Sequence, residues 1–549
     1  MLLKYNVLVN IKLLNIEKMK RQIIFIILAV LAVMPGLAKK KTNIEVSVAQ
    51  YRYDRECAVS LTFDDGVQED YTLIAPHLDR YGLKGTFCIN GAFIGNLDDR
   101  FAPRMTWDQC RELDTRGHEI ANHSWSHQNE YEISIEETRR EIARNDSAIQ
   151  RELGKRPLTY FFPFNAYTPE ALAAAMENRV ACRLYQFGLG QRNLGATWTS
   201  MTTWLQEQIA NRQWGITMSH GIYTAWDQWE EPWVLWNFFR LLSNKSDSIW
   251  TATFADVAMY VAERDSVKLT VKHEKNTVRV TPSLPLNAQL YTMPLTLNIR
   301  STKPMTATQD GKTLPIHRDS RRTFLEFNPY GGEIIITQLE DCKRISVLGD
   351  SYSTMYGWNT PYYNEPFYPR NSVQQAEQTW WYQVINSGRY VLECNNSYSG
   401  STMTNNTLPN WRDRSQKMEV STSFISRCTN LGNPDIILIC GGTNDEWNND
   451  KSMGDYKYAN WTDDDLRLFR PGTAYLLHLV KTTYPKAKVY FVLNDILERV
   501  GESIKTICAH YEIPVITPQG IEKDETGHPT QAGMTTIADA VKMKLQIKK

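Results

Sequence analysis

The sequence predicts a multidomain α/β protein in which two α/β units are joined by a small all-β module. Three observations predict it: a length of 549 residues, two regions where apolar strand-like runs alternate with helical stretches, and a change of texture between them. At roughly 150 residues per domain, such a chain exceeds one ordinary core and calls for three or four units. Lys+Arg and Asp+Glu both total 61, a formal net charge of +0. No global field therefore favours an anionic polymer, and nucleic acid is not an expected partner.

The first element is a leader. Ile23 to Met34 is an almost unbroken apolar run, preceded by Lys20-Arg21 and followed by Pro35-Gly36-Leu37-Ala38 and three lysines. It falls short of the roughly 20 residues of a membrane span, and Gly36 and Ala38 suit a cleavage site. Residues 1–38 are thus expected to be a signal peptide, with Met19 an alternative start. The mature protein is expected to be exported, to the periplasm or the cell surface, with no stable membrane span. An uncleaved anchor is the alternative, and no cysteine follows the run to accept a lipid.

From 50 to 265, the runs Ala58 to Phe63, Gly85 to Ile89, Glu119 to Ala121 and Gly215 to Ser219 alternate with helical patterns such as Glu136 to Leu153. This alternation implies a mainly parallel sheet or barrel. From 266 to 340 the segments shorten to Val267 to Val271 and Glu333 to Thr337, with turn signals at Asp310-Gly311 and Gly331-Gly332, which predict a small β-sandwich. From 342 to 549 the alternation returns: Ile345 to Leu348, Ile436 to Cys440 and Lys488 to Leu493 read as buried strands. Nine cysteines are scattered singly without a CxxC pair, and most, such as Cys88 and Cys440, sit in apolar runs as buried small hydrophobes. The 16 Trp and 27 Tyr serve the cores first and suit packing on sugar faces second.

Thr62-Phe63-Asp64-Asp65-Gly66 closes the first strand of this region, where an α/β barrel presents catalytic groups. His123 and His127, four residues apart, follow another short strand. Two imidazoles and a carboxylate make the three-ligand, open set of a hydrolytic metal site, and a water there becomes a nucleophile near neutral pH. Alone, the histidine pair also fits a hydrogen-bonded surface; the paired aspartates upstream make the metal reading specific. Over about residues 50 to 265 the chain resembles the polysaccharide deacetylase (NodB-homology) family, whose fold is a distorted (β/α) barrel. The resemblance implies Asp65, His123 and His127 as ligands of a divalent ion, with zinc first and cobalt, nickel or manganese as alternatives. It implies Asp64 as general base and His220, after the strand Gly215 to Met218, as general acid. Where the family has an Arg-Pro-Pro-Tyr-like run, this chain has Phe161-Phe162-Pro163-Phe164-Asn165. Phe164 keeps the expected backbone oxyanion role, whereas the arginine that orients the base is missing. Arg183 and Arg192 are the open alternatives for its replacement.

Gly349-Asp350-Ser351 closes the strand Ile345 to Leu348. Ser397-Tyr398-Ser399-Gly400, Gly441-Gly442-Thr443-Asn444-Asp445 and Gly527-His528-Pro529 follow in that order. These blocks resemble the SGNH, or GDSL-type, hydrolase family over about residues 342 to 549, a flavodoxin-like three-layer α/β/α fold that needs no cofactor. By that resemblance Ser351 is the nucleophile and His528 its base. The Ser351 and Gly400 N–H groups and the Asn444 amide form the oxyanion hole, since a weakly acidic hydroxyl needs a base and the oxyanion needs preorganised donors. The orienting acid is expected to be Glu525, with Asp524 next in line. Trp358, Trp380, Trp381 and Trp447 lie near these blocks as core or pocket candidates.

Both resemblances lead to acyl removal. The expected function is an exported bifunctional carbohydrate esterase acting on an acetylated polysaccharide, with O-acetyl xylan first. The rivals are an N-deacetylase of peptidoglycan or a chitin-like polymer with an accessory O-acetyl esterase, and a glycan-binding, degenerate deacetylase unit carrying an active serine esterase. No sequence signal sets the oligomeric state.

Overall fold

In the first sheet, Cys57–Phe63 is the central strand and every one of its residues is buried, as expected of a parallel strand covered on both faces. The computed structural model describes residues 44–361, 366–387, 389–405, 407–409, 417–419, 422–448 and 452–547. The expected leader, residues 1–38, lies outside them. The first sheet runs in the order Ala181–Arg183, Thr159–Phe161, Glu119–Asn122, Gly85–Ile89, Cys57–Phe63, Trp214–Ser219 and Phe187–Gly188, with Ile249–Thr251 also paired to Cys57–Phe63. All these pairings are parallel. The sheet curls into the expected distorted (β/α) barrel. Between its strands, the helix Ile135–Leu153 starts on the Ser134 hydroxyl and ends at Gly154 in the left-handed region, so both ends are capped by side-chain and glycine chemistry.

The β-rich region forms two antiparallel sheets. One pairs Lys268–His273, Thr277–Ser283, Ile334–Gln338, Met305–Gln309 and Lys312–Leu314. The other includes Leu295–Arg300 and Thr323–Phe327, and its edge strand is Glu45–Val48, which precedes the barrel in sequence. Val280, Leu297, Leu325 and Ile336 of the sandwich share one core with Trp250 and Tyr260 of the barrel region, so the two are packed as one body.

The last sheet is entirely parallel, ordered Tyr390–Ser397, Lys343–Gly349, Ile436–Cys440, Lys488–Val492 and Val515–Ile516, the flavodoxin-like arrangement. Trp380–Ile385 and Gln531–Lys544 cover one face; Phe424–Arg427, Phe469–Thr483 and Gly501–His510 cover the other. No helix among the described residues is long and apolar enough to cross a membrane. All nine cysteines are free; Cys182 and Cys342 are half-buried and the rest buried.

Charged pairs join the units. Arg318 of the sandwich reaches Glu393 of the last sheet at 2.7 Å, and both side chains are almost fully buried. Arg55 donates to the carbonyls of Asp247 and Pro361. Removing one partner of a buried pair strands the other charge. Arg318→Ala is therefore expected to lower stability by about 3 kcal/mol in denaturant unfolding; a loss below about 0.5 kcal/mol would show that solvent already screens the pair.

Candidate functional sites

Asp64 and Asp65 follow Phe63 directly, at the carboxyl end of the central strand. His123 and His127 follow Glu119–Asn122, two strands away in the same sheet. The ligand atoms of Asp65, His123 and His127 all lie within 4.8 Å of one another. Asp65 Oδ1 is 3.5 Å from His123 Nε2 and 3.4 Å from His127 Nε2. His123 Nδ1 donates to the Phe161 carbonyl at 2.8 Å, which leaves Nε2 as the lone-pair nitrogen facing the aspartate. Burial holds His127 down to about 4, the neutral form a metal needs. This donor set fits a divalent ion. Asp65, Ser124 and His127 all have positive φ, so backbone strain concentrates here. Buried Glu141 secures the histidine loop by accepting from the Ser124 hydroxyl and the Ser126 N–H and hydroxyl.

The arginine that the local motif lacks arrives from another strand. Arg183, at the end of Ala181–Arg183, is fully buried and forks onto Asp64, with Nη1 donating to Oδ1 at 2.8 Å and Nη2 to Oδ2 at 2.5 Å. Nη1 also donates to Thr62 Oγ1 at 2.7 Å. Burial alone would push the Asp64 carboxyl up. The Arg183 charge outweighs it, aided by His123, and holds the group well below the usual carboxylate range. Arg192, the other alternative, instead donates to Gln228 at 2.6 Å.

His220 follows Trp214–Ser219, the other neighbour of the central strand. Its Nδ1 lies 2.5 Å from Asp227 Oδ2, and Trp226 packs edge-on against its ring. Burial opposes protonation, but the Asp227 hydrogen bond and the Asp64 and Asp65 charges together raise its pKa, the state of a proton donor. Glu69 fixes the following loop by accepting from the Ile222, Tyr223 and Thr224 N–H groups. Phe164 sits in the turn Pro163–Asn165 with φ 57°, its exposed ring edge-on to His127 with centroids 4.6 Å apart.

The second constellation hangs from Lys343–Gly349. Ser351 opens the short turn Ser351–Ser353, and its Oγ meets His528 Nε2 at 2.9 Å. The His528 ring lies flat on Phe367, centroids 3.5 Å apart. Buried Arg427 donates to the Gly349 carbonyl at 3.2 Å and the Ser401 hydroxyl at 3.0 Å, tying the nucleophile strand to the Gly400 loop. Gly400 has φ +77° with open space on its side-chain face, and the Asn444 amide donates to the Ser401 carbonyl at 2.9 Å. An amide carries two N–H donors, and that bond uses one.

The structure does not bring Glu525 to the histidine. Glu525 is exposed and forms no hydrogen bond or ion pair among the described residues. His528 Nδ1 instead meets Thr526 Oγ1 at 2.9 Å, and that hydroxyl donates to Asp524 Oδ1 at 2.6 Å. The hydroxyl has one proton, given to Asp524, so it accepts from Nδ1–H and leaves Nε2 free for the serine proton. The turn Asp524 to Gly527 explains the shift: Asp524 also accepts from the Thr526 and His528 N–H groups, so it lies under the imidazole while Glu525 points away. Thr526 had no sequence signal. Trp380 and Trp381 are buried and donate to the Ser353 hydroxyl and carbonyl, which makes them core supports; Trp447 is half-exposed beside Gly527.

Comparison with known proteins adds that residues 52–182 match the model of the polysaccharide deacetylase family and residues 343–545 that of GDSL-like lipase/acylhydrolase. A provisionally assigned GDSL-like lipase from Bacteroides ovatus ATCC 8483 is 42% identical; the match covers 38% of this chain and 100% of that one, at a TM-score of 0.35. A chitin deacetylase of Pestalotiopsis sp is 31% identical over 104 residues, 19% of this chain and 33% of that protein. A peptidoglycan-N-acetylglucosamine deacetylase of Bacillus cereus is 28% identical over 120 residues, 22% of this chain and 40% of that protein. The chain spans less than half the length of the curated relatives it matches.

Two outcomes follow from these geometries. With Ser351→Ala silencing the second site, Arg183→Ala is expected to lower deacetylation kcat/KM about a hundredfold and Arg183→Lys about tenfold, because a single ammonium cannot fork onto a carboxylate; a change below threefold for both would remove Arg183 from the machinery. Burial holds His528 down to about 4 against the pull of Asp524. Its neutral, proton-accepting form thus persists well below pH 6, and with Asp64→Ala silencing the first site the hydrolysis of p-nitrophenyl acetate is expected to stay flat from pH 8 to 6 and to fall as the pH approaches about 4. A fall centred near the ordinary histidine value, about 6.5, would contradict this.

Proposed function

We propose that this chain, whose residues 52–182 match the polysaccharide deacetylase model and whose residues 343–545 match the GDSL-like lipase/acylhydrolase model, is an exported, bifunctional carbohydrate esterase stripping acetyl groups from one polysaccharide. The observation that carries this reading is the presence, on one chain, of two chemically different clusters, the Asp65–His123–His127 triad and the Ser351–His528 pair.

At the first site, Asp65, His123 and His127 would hold a divalent ion, zinc in the first instance, with cobalt, nickel or manganese as alternatives. Bound there, the ion supplies Lewis acidity that makes water nucleophilic near neutral pH. Asp64, kept ionised by Arg183, accepts a proton. His220, held by Asp227, donates one to the leaving oxygen or nitrogen. The oxyanion role falls to the Phe164 backbone N–H, in the turn Pro163–Asn165 beside His127. At the second site, Ser351 attacks the acyl carbon as His528 takes its proton; the Ser351 and Gly400 N–H groups and the Asn444 amide receive the oxyanion. The alcohol then leaves with the proton from His528, and water releases the acyl group by the reverse sequence.

An O-acetyl ester is the bond both sites can share. The His528 imidazole reaches Asp524 through the Thr526 hydroxyl, an arrangement sufficient for an ester, whose alcohol is a better leaving group than an amine. Acetylated xylan is the first substrate proposed, met outside the cytoplasm after removal of residues 1–38. A second reading has one observation in its favour: the curated relatives of the first region include enzymes named for chitin and for peptidoglycan N-acetylglucosamine, so N-acetyl polymers are its proposed substrates there.

Acetate release from acetylated xylan by wild type, Asp64→Ala, Ser351→Ala and the double variant tests the proposal. Each single variant is expected to keep part of the release and the double variant to lose it, a drop of at least about a hundredfold. No release from xylan by wild type, with release from an N-acetylated oligosaccharide that Asp64→Ala abolishes, would overturn the xylan assignment in favour of the second reading.

A further inference from the structure

A cleft opens where three parts of the chain meet. Tyr53 comes from the segment leading into the barrel, His317 and Glu326 from the sandwich, and Thr354, Tyr356 and Tyr398 from the esterase. We propose that this cleft is a sugar subsite of the serine esterase, holding a neutral pyranose ring of the glycan next to the one whose ester is cut. The assignment rests on the carbohydrate reading of the Ser351 site.

Contiguity with the nucleophile is the first support. Thr354 Oγ1 donates to the Ser351 carbonyl at 2.9 Å and accepts from the Phe367 N–H at 2.9 Å, and the Phe367 ring is the one stacked on His528. Tyr398 stands two residues before Gly400, and its N–H donates to the Gly349 carbonyl at 3.1 Å. One wall of the cleft is therefore built from the chain that carries both sides of the reaction centre.

Its chemistry is the second support. Tyr356 is 72% exposed and lies in the cleft with Tyr53. Flat rings with hydroxyl and amide groups between them match the alternating apolar faces and equatorial hydroxyls of a neutral sugar. Glu326 does not make the cleft anionic, because Arg52 pairs with it at 2.6 Å.

The cost of placing Tyr53 there is the third. Tyr53 and Asp54 both have positive φ, a conformation that disfavours residues with side chains. The sandwich enforces it: the Tyr53 N–H donates to Thr296 Oγ1 at 2.8 Å and Asn298 to Asp54 Oδ1 at 2.8 Å. The Arg52 guanidinium lies 4.7 Å from the Tyr53 ring centroid. The turn thereby sets Tyr53 in the lining of the cleft.

With the first site silenced by Asp64→Ala, kcat/KM is measured on acetylated xylo-oligosaccharide and on p-nitrophenyl acetate, which is too small to fill both the reaction centre and the cleft. Tyr356→Ala is expected to lower the ratio of the two about tenfold, through KM on the oligosaccharide, as loss of one aromatic anchor does. Tyr356→Phe, which keeps the ring, is expected to retain most of the ratio. A ratio within twofold of the parent for Tyr356→Ala would overturn the subsite. If the Asp64→Ala parent hydrolyses p-nitrophenyl acetate but no acetylated oligosaccharide, the carbohydrate reading of the serine site falls, and the subsite with it.

Discussion

Both sites depend on one constraint: a parallel strand buried on both faces can offer chemistry only at its end. Cys57–Phe63 is wholly buried and delivers Asp64 and Asp65; Lys343–Gly349, buried from Ile345 onward, delivers Ser351. Neighbouring strands then bring their own carboxyl ends to the same edge, with His123, Arg183 and His220 in the barrel and Gly400 and Asn444 in the last sheet. The apolar run that makes each strand stable thus also positions the side chain at its end.

Burial has a second consequence, electrostatic. Asp64 lies almost out of solvent, where a lone carboxylate would take up a proton, and the fork from Arg183 keeps it charged. The serine site shows the opposite case. His528 is half-buried, its ring covered by Phe367 and its Nδ1 separated from Asp524 by one hydroxyl, which favours the neutral imidazole. One site holds a buried charge and the other a half-buried neutral imidazole, each beside the neighbour that stabilises that form.

Much of this was legible in the sequence because the signals are local. The runs Gly85 to Ile89 and Ile436 to Cys440 are strands with those limits, Asp64-Asp65, His123 and Ser351 stand at or just beyond strand ends, and His127 follows four residues after His123. Relations across the chain were not legible. Arg183 lies 119 positions from Asp64 in a three-residue strand too short to announce itself. Glu45–Val48 joins a sheet whose other members follow the whole barrel. Spacing along the chain favours Glu525 over Asp524 because it does not reveal the turn that links Asp524, through Thr526, to the imidazole.

The central claim is that two chemically independent sites act on one glycan. Its most direct test is acetate release from the full-length chain on an acetylated polymer after treatment with a metal chelator, with a serine-directed fluorophosphonate, and with both. The account predicts that each reagent removes a distinct fraction, that added divalent ion restores only the first, and that the two together abolish release. Complete loss with either reagent alone, or none with the chelator, would contradict it.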